Sequence, residues 1–278
     1  SALCGIFGIK PTYGRVSRFG VVPLSWSLDH VGPMTKSVED AALVMNAISG
    51  YDPQDPGSTK EPVPDFTKHL QTGVDGIRIG IPKEHFFDWV QPEVNAAVHR
   101  AIGVLESMGA MLVEVSLPNV STVPLFHQVI AGSEAATFHY ETVLNHGDEL
   151  TPNVRDRFEG GLMVTAVQYI QAQRARAKVR EEIHQIFKHV DVLVSPASVI
   201  TAPRVGQEMM RTNKGEESVL NLLARNTQPF NDSGVPACTV PCGFDSSGLP
   251  IGLQIAGRAF DESTVFQVAW AYEQATDW

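Results

Sequence analysis

The hydrophobic positions along the chain change their spacing several times, and each change marks an element. Val38, Ala41, Ala42, Met45 and Ile48 recur at a helical period, with Ser37 placed to cap the first turn and Gly50 to end the helix. Residues 51–65 carry Pro53, Pro56, Pro62 and Pro64 with Gly57, a composition that holds neither a ladder nor a long helix and predicts a surface excursion. Residues 77–81 alternate as a strand and stop at Pro82. Pro92 then opens a helix carrying Val94, Val98, Ala101, Leu105 and Met108, Gly109 closes it, and residues 111–115 read as a second strand. Strand, helix, strand is a βαβ unit, for which a right-handed crossover is expected.

From residue 123 to 190 the pattern is mainly helical, with interruptions at residues 145–148 and at Gly160-Gly161. The last of these helices places Val179, Ile183, Ile186, Phe187 and Val190 on one face. Arg174, Arg176, Lys178, Arg180, Glu181 and Glu182 lie between them and read as a solvated face. Residues 191–196 follow as a short buried strand, and the loop at its carboxyl end, residues 197–207, is a candidate pocket wall because open α/β sheets place ligand-contacting residues there. Two β-rich runs around Asp245-Ser246-Ser247-Gly248 predict a hairpin, and a last helix starting near Asp261 shows Val265, Val268, Ala269 and Tyr272 on one face.

The opening stretch, residues 1–34, behaves differently. Its apolar runs are too short for helices and are punctuated by Gly5, Gly8, Gly14, Gly20 and Gly32 and by Pro11, Pro23 and Pro33, the mark of backbone built to close tolerances. It begins without an initiator Met, a signal peptide or a polar leader. At 278 residues and 43% hydrophobic content, the chain has the size and apolar fraction for one substantial core, and residues 1–278 are read as one domain. The net charge of −10 is dispersed, so no basic footprint invites direct nucleic-acid or anionic-membrane contact, and no apolar run approaches the ~18 residues of a membrane span. Cys4, Cys238 and Cys242 form no disulfide framework. Their odd number points to a reducing cytoplasm, and Cys238 with Cys242 reads as a buried pair rather than half of a metal site.

Self-contained catalytic motifs are missing from the sequence: it holds no H-E-x-x-H, no phosphate-binding G-x-x-x-x-G-K-[ST] and no G-x-S-x-G elbow, and the nine histidines are scattered. The two ends carry a different signal. Cys4-Gly5-Ile6-Phe7-Gly8-Ile9-Lys10-Pro11-Thr12-Tyr13-Gly14-Arg15 at one end, and Gly234-Val235-Pro236-Ala237-Cys238-Thr239-Val240-Pro241-Cys242-Gly243 with Gly248-Leu249-Pro250-Ile251-Gly252-Leu253-Gln254-Ile255-Ala256-Gly257-Arg258 at the other, resemble in order and spacing the amidase signature family. The resemblance covers essentially the whole chain.

That resemblance implies a fold and a chemistry. The fold is α/β, a mixed β-sheet flanked by helices on both faces, with the N-terminal part of the sheet missing. The resulting open edge implies association with another chain, as a homo-oligomer or by strand pairing. The chemistry is hydrolysis of a small-molecule amide by a serine nucleophile, a bridging serine and a neutral lysine base, without a cofactor. By the match, the nucleophile lies five residues before Ser1 and the other two further upstream, so no residue of this chain is assigned a catalytic role. Lys10, Ser1, Ser25 and Ser27 come after the nucleophile and are read as structural. Ser1 is expected at the rim of a cleft near residues 195–207 and 226–234. Arg157, in Val154-Arg155-Asp156-Arg157-Phe158-Glu159-Gly160-Gly161, resembles a family arginine that can point into the substrate pocket and is the one candidate substrate-binding residue, against a helix-surface reading. The alternatives are the glutamine-hydrolysing component of a tRNA-dependent amidotransferase, or a non-catalytic scaffold. The hydrolase is favoured because Ala224 and Arg225 stand where that amidotransferase component usually has an acidic residue.

Overall fold

The computed structural model describes residues 1–277. Seven strands form one mixed sheet: β1 (Phe7–Lys10), β2 (Met34–Thr35), β3 (Arg78–Pro82), β4 (Met111–Val115), β5 (Val192–Pro196), then two longer strands at residues 237–244 and 250–257. Between β5 and these two lies a separate two-stranded hairpin, β6 (Met209–Thr212) with β7 (Gly215–Ser218), so the longer strands are β8 (Ala237–Phe244) and β9 (Pro250–Gly257). The order across the sheet is β2-β1-β8-β9-β5-β3-β4. β3 pairs in parallel with β4 and β5, and the remaining pairs are antiparallel, which makes the sheet mixed as expected.

Helices cover both faces. On one side lie α1 (Val38–Ile48), α2 (Pro92–Ser107) and the C-terminal helix at residues 262–274. On the other lie α3 (Val123–Phe138), a long helix at residues 166–186 and a short one at residues 228–233. In chain order the intervening and later helices are α4 (Tyr140–His146), α5 (Pro152–Leu162), α6 (Ala166–Ile186), α7 (Val219–Leu223), α8 (Gln228–Ser233) and α9 (Glu262–Gln274). The two-residue period of a pleated strand sorts the side chains between the layers. Val192 and Val194 of β5 join the core under α1, α2 and α9, whereas Leu193 joins the core under α3, α6 and α8.

The βαβ unit is β3-α2-β4, with Pro92 at the helix start. The predicted hairpin is β8-β9, linked through Asp245, whose backbone N–H bonds Leu249 O at 2.9 Å and whose carboxylate accepts from Ser247 N and Leu249 N. Two features depart from the reading by periodicity. α5 runs through Gly160 and Gly161 before ending at Leu162. More consequentially, the polar face of α6 is not uniformly solvated. Arg176 is only 14% exposed, and its guanidinium donates to Asp232 O, Ser27 Oγ and Ser27 O at 2.8–2.9 Å. The loop before β2 and the end of α8 cover that side of the helix, and helical spacing alone does not register a covering loop.

Candidate active site

A cavity of about 510 Å³ opens over the middle of the sheet, where β1, β8 and β9 lie side by side. The two segments that carry the sequence signal meet there because β1 pairs with β8 (Gly8↔Thr239, Lys10↔Ala237), β8 with β9 (Thr239↔Gln254), and β9 with β5 (Ser195↔Gln254). The turn of residues 1–4 lies directly on these strands. A Cβ at Gly8 would sit 2.0 Å from Ser1 Oγ, and one at Gly252 would sit 2.5 Å from Thr239 Oγ1 and 2.7 Å from the Ala2 methyl. Glycine is therefore required at both positions for the turn to lie flat on the sheet.

The far wall is held by two buried amides. Gln254, 3% exposed on β9, donates from Nε2 to Ser195 Oγ (3.1 Å) and Asn226 O (3.0 Å). Asn226, fully buried, donates from Nδ2 to Phe86 O (2.8 Å) and Pro196 O (2.9 Å). These bonds fix residues 223–230 against the carboxyl end of β5, so that Leu223, Thr227 and Phe230 face the cavity together with Ala197 and Ser198. Ser1 thus shares one cavity with the loop after β5 and with the 226–234 segment, where it was expected.

Lys10 and His30 line the cavity near β1. The Lys10 ammonium donates to Val235 O at 2.6 Å and Pro11 O at 3.2 Å, which ties the two signature segments together. Burial pulls its pKa down to about 7, with the Glu262 carboxylate acting in the opposite direction. His30 bonds Leu28 O through Nδ1 at 2.7 Å, and since a carbonyl only accepts, Nδ1 carries the proton. Burial, reinforced by the nearby Lys10 charge, lowers its pKa to about 2, so the ring is neutral. Among the described residues, no carboxylate lines this cavity.

Several buried polar groups around the site escaped the sequence reading. Glu134 of α3, fully buried, accepts from Ser25 Oγ (2.5 Å), Ser27 N (3.1 Å), Ser27 Oγ (2.7 Å) and Tyr169 OH (2.9 Å). Asp232, 1% exposed, accepts from His127 Nδ1 at 2.7 Å. Glu262 accepts from Thr12 N at 2.9 Å and lies 3.4 Å from Arg15 Nε, with both side chains almost wholly buried. The signal for Glu134 was its position four residues after Ile130 and three after Ala131, on the apolar face of its helix. Arg157 lies exposed on α5 and does not border the 510 Å³ cavity. Cys238 and Cys242 are both buried in β8 as free thiols, and burial pushes the Cys242 thiol up to about 12. Among the described residues no group of three or more His, Cys, Asp or Glu side chains is placed to hold a metal ion, and no helix is long and apolar enough to cross a membrane.

Comparison with known proteins adds independent observations. The family model described as Amidase matches residues 1–266. An amidase of Pseudomonas putida is 42% identical over 281 residues, and the A component of the glutamyl-tRNA(Gln) amidotransferase of Chloroflexus aggregans is 40% identical over 301 residues. Each alignment takes in 100% of this chain and 60% of the relative. The chain therefore spans about 60% of the length of these curated relatives. Among solved structures, a chain from a vestigial protein complex bearing on the origins of an s-triazine catabolic enzyme superposes with a TM-score of 0.92 at 32% identity, covering 98% of this chain and 59% of that one. The corresponding component of the Thermotoga maritima glutamyl-tRNA(Gln) amidotransferase gives 0.82 at 33% identity, covering 98% and 58%.

Proposed function

The chain belongs to the amidase family, and from that premise we propose that it is the C-terminal portion of an amidase-type hydrolase that cleaves the carbon–nitrogen bond of a small-molecule amide. The observation that carries this reading is the 510 Å³ cavity on which both signature segments converge around Ser1. The nucleophilic serine, the bridging serine and the base lysine belong to the stretch preceding Ser1. The nucleophile attacks the carbonyl carbon, its proton passes through the bridging serine to the neutral lysine, and water later hydrolyses the acyl-enzyme. The oxyanion is held by backbone amides of the same upstream loop. This chain contributes the sheet that the loop rests on and, through residues 197–198 and 223–230, a wall of the substrate pocket. Lys10 has a structural role, since its ammonium is engaged by two backbone carbonyls.

Two observations favour the hydrolase over a glutamine-hydrolysing amidotransferase component. Free glutamine brings an ammonium that needs a buried counter-charge, and among the described residues no carboxylate lines the cavity. The alignment with the amidase runs over 281 positions and that with the amidotransferase component over 301, against 278 residues in this chain, so the amidase matches with fewer interruptions. For Arg157, exposed on α5 and outside this cavity, we propose contact with substrate in the complete enzyme on the family resemblance alone, and for the short sheet edge at β2 we propose association with another chain. The reading requires that the complete protein turn over a simple aryl amide and that the 278-residue chain alone fail to do so. Turnover by the isolated chain, abolished by a serine-directed phosphonate, would place a nucleophile within these residues and overturn the assignment. Glutaminase activity of the complete protein, stimulated by partner proteins and charged tRNA, would favour the amidotransferase instead.

A further inference from the structure

The segment of residues 222–228 borders two cavities. Leu223 and Thr227 line the candidate active site, while Leu222, Arg225 and Gln228 line a second cavity of about 410 Å³. We propose that this second cavity binds an organic monocarboxylate with an apolar tail, with the Arg225 guanidinium gripping the carboxylate. The proposal concerns a different site from the amide-cleaving one and does not depend on that reaction.

Arg225 is a half-buried cation whose donors are largely unspent. Its Nε is buried and has no hydrogen-bond partner among the described residues, and Nη2 reaches only His85 O at 3.5 Å, a marginal distance. Two carboxylates act on it, Asp88 and Glu217, the second of which lines the same cavity, and both already have partners. Asp88 pairs with Lys214 at 2.7 Å, and Glu217 accepts from Ser218 N (2.7 Å) and Asn221 Nδ2 (3.0 Å). Burial pulls the Arg225 pKa down, with Asp88 and Glu217 acting only against that trend, as expected of a cation short of compensation. A planar guanidinium with free N–H groups is shaped for a carboxylate.

The rest of the cavity fits the remainder of such a ligand. Gln228 Oε1 is also buried without a partner among the described residues, and turning the amide presents its NH₂ to the same anion. Trp89, Pro124, Leu125 and Leu220 supply apolar wall, Gln128, Asn221 and Glu217 supply the polar part, and Leu125 and Leu220 remain 76% and 79% exposed. Trp89 is held at φ 60, a left-handed conformation that is costly for a bulky side chain and that collects at ligand sites. With the Glu217 carboxylate also in the lining, one guanidinium suits a monoanion better than a phosphate dianion, whose second charge would be left uncompensated.

The test is isothermal titration calorimetry of the complete protein with sodium octanoate and with 1-octanol. Octanoate is expected to bind saturably and at least ~10-fold more tightly than octanol, as a charge-assisted bond contributes. Arg225→Gln should reduce octanoate affinity by ~10-fold or more and leave octanol unchanged. Leu220→Glu, a change at an exposed position that spares the fold, should weaken octanoate by apposing a like charge at the mouth. The proposal is overturned if octanoate gives no saturable heat, if octanol matches it, or if Arg225→Gln binds octanoate as the wild type does. Should Arg225→Gln fail to fold, Leu220→Glu decides, and unchanged octanoate binding in that variant overturns the proposal.

Discussion

Replacing Glu134 by alanine tests the account of how the loop before β2 is held over α6. Each carboxylate oxygen of Glu134 receives two donors: Ser27 Oγ and Tyr169 OH on Oε1, Ser25 Oγ and Ser27 N on Oε2. Ser27 Oγ in turn accepts from Arg176 Nη1 at 2.8 Å, so a buried anion and a nearly buried cation are joined through one hydroxyl. The truncation removes all four acceptor contacts, while Arg176 keeps the Asp232 carboxylate at 3.9 Å. Each bond to a charged group is worth ~1.5–3 kcal/mol, but hydroxyls re-orient and the bonds are coupled, so the sum overstates the loss. Removal of one partner from a buried charged network costs ~3–5 kcal/mol, and that is the expected destabilisation. Glu134→Gln should cost only ~1–2 kcal/mol, because the amide oxygen can keep the Ser25 Oγ and Ser27 N donors while its NH₂ faces Ser27 Oγ and Tyr169 OH, hydroxyls that can accept. The assay is urea unfolding of the complete protein, with hydrogen exchange read over residues 23–29, which should lose protection in the alanine variant first. Destabilisation below ~1 kcal/mol for Glu134→Ala, within the range of an ordinary surface change, would refute the reasoning.

Lys10 makes stability depend on pH. With a folded pKa of about 7 against an ordinary 10.5, the unfolded chain holds the extra proton between those values, so wild-type stability rises with pH across that window. Relative to Lys10→Met, the wild type should gain about 2–3 kcal/mol between pH 7 and pH 9, measured by denaturant unfolding at each pH, and a pH-independent difference would show that Lys10 keeps its proton. Arg157→Ala in the complete enzyme should raise KM for an acidic or polar substrate by ~10-fold, as the loss of a bidentate partner does, and unchanged kinetics would leave a surface arginine. Light scattering of the purified chain at high concentration should report association, and a monodisperse monomer would count against pairing through the β2 edge.

The elements most legible in the sequence were those whose own residues set both period and ends. α2 has Pro92 at its start and an apolar face through Leu105, and β8 and β9 flank a turn built by Asp245. β1 and β2 were not legible, because four and two residues are too few to show alternation, and their partners lie elsewhere in the chain. The β6-β7 hairpin escaped for another reason: Met209–Thr212 and Gly215–Ser218 are largely polar and partly exposed, so burial imposes no apolar pattern on them. At the site, the segments that meet were legible through the family resemblance. The buried charges were not: whether Arg176 faces water or Ser27 is decided by a loop about 150 residues away in sequence.

The flat seating of residues 1–4 on the sheet has a consequence in time. β1 pairs early with β2 but finds its other neighbour only at β8, and Thr12 N finds Glu262 only 250 residues later. At a synthesis rate of roughly 5–20 residues per second, roughly ten to fifty seconds separate the emergence of Gly8 from that of Thr239. Through that interval one side of β1 has no native strand to pair with, and contacts so distant in sequence are slow to close. Maturation of the cavity is thus gated by the emergence of β8, and a translational pause before β8 would lengthen the exposure of β1.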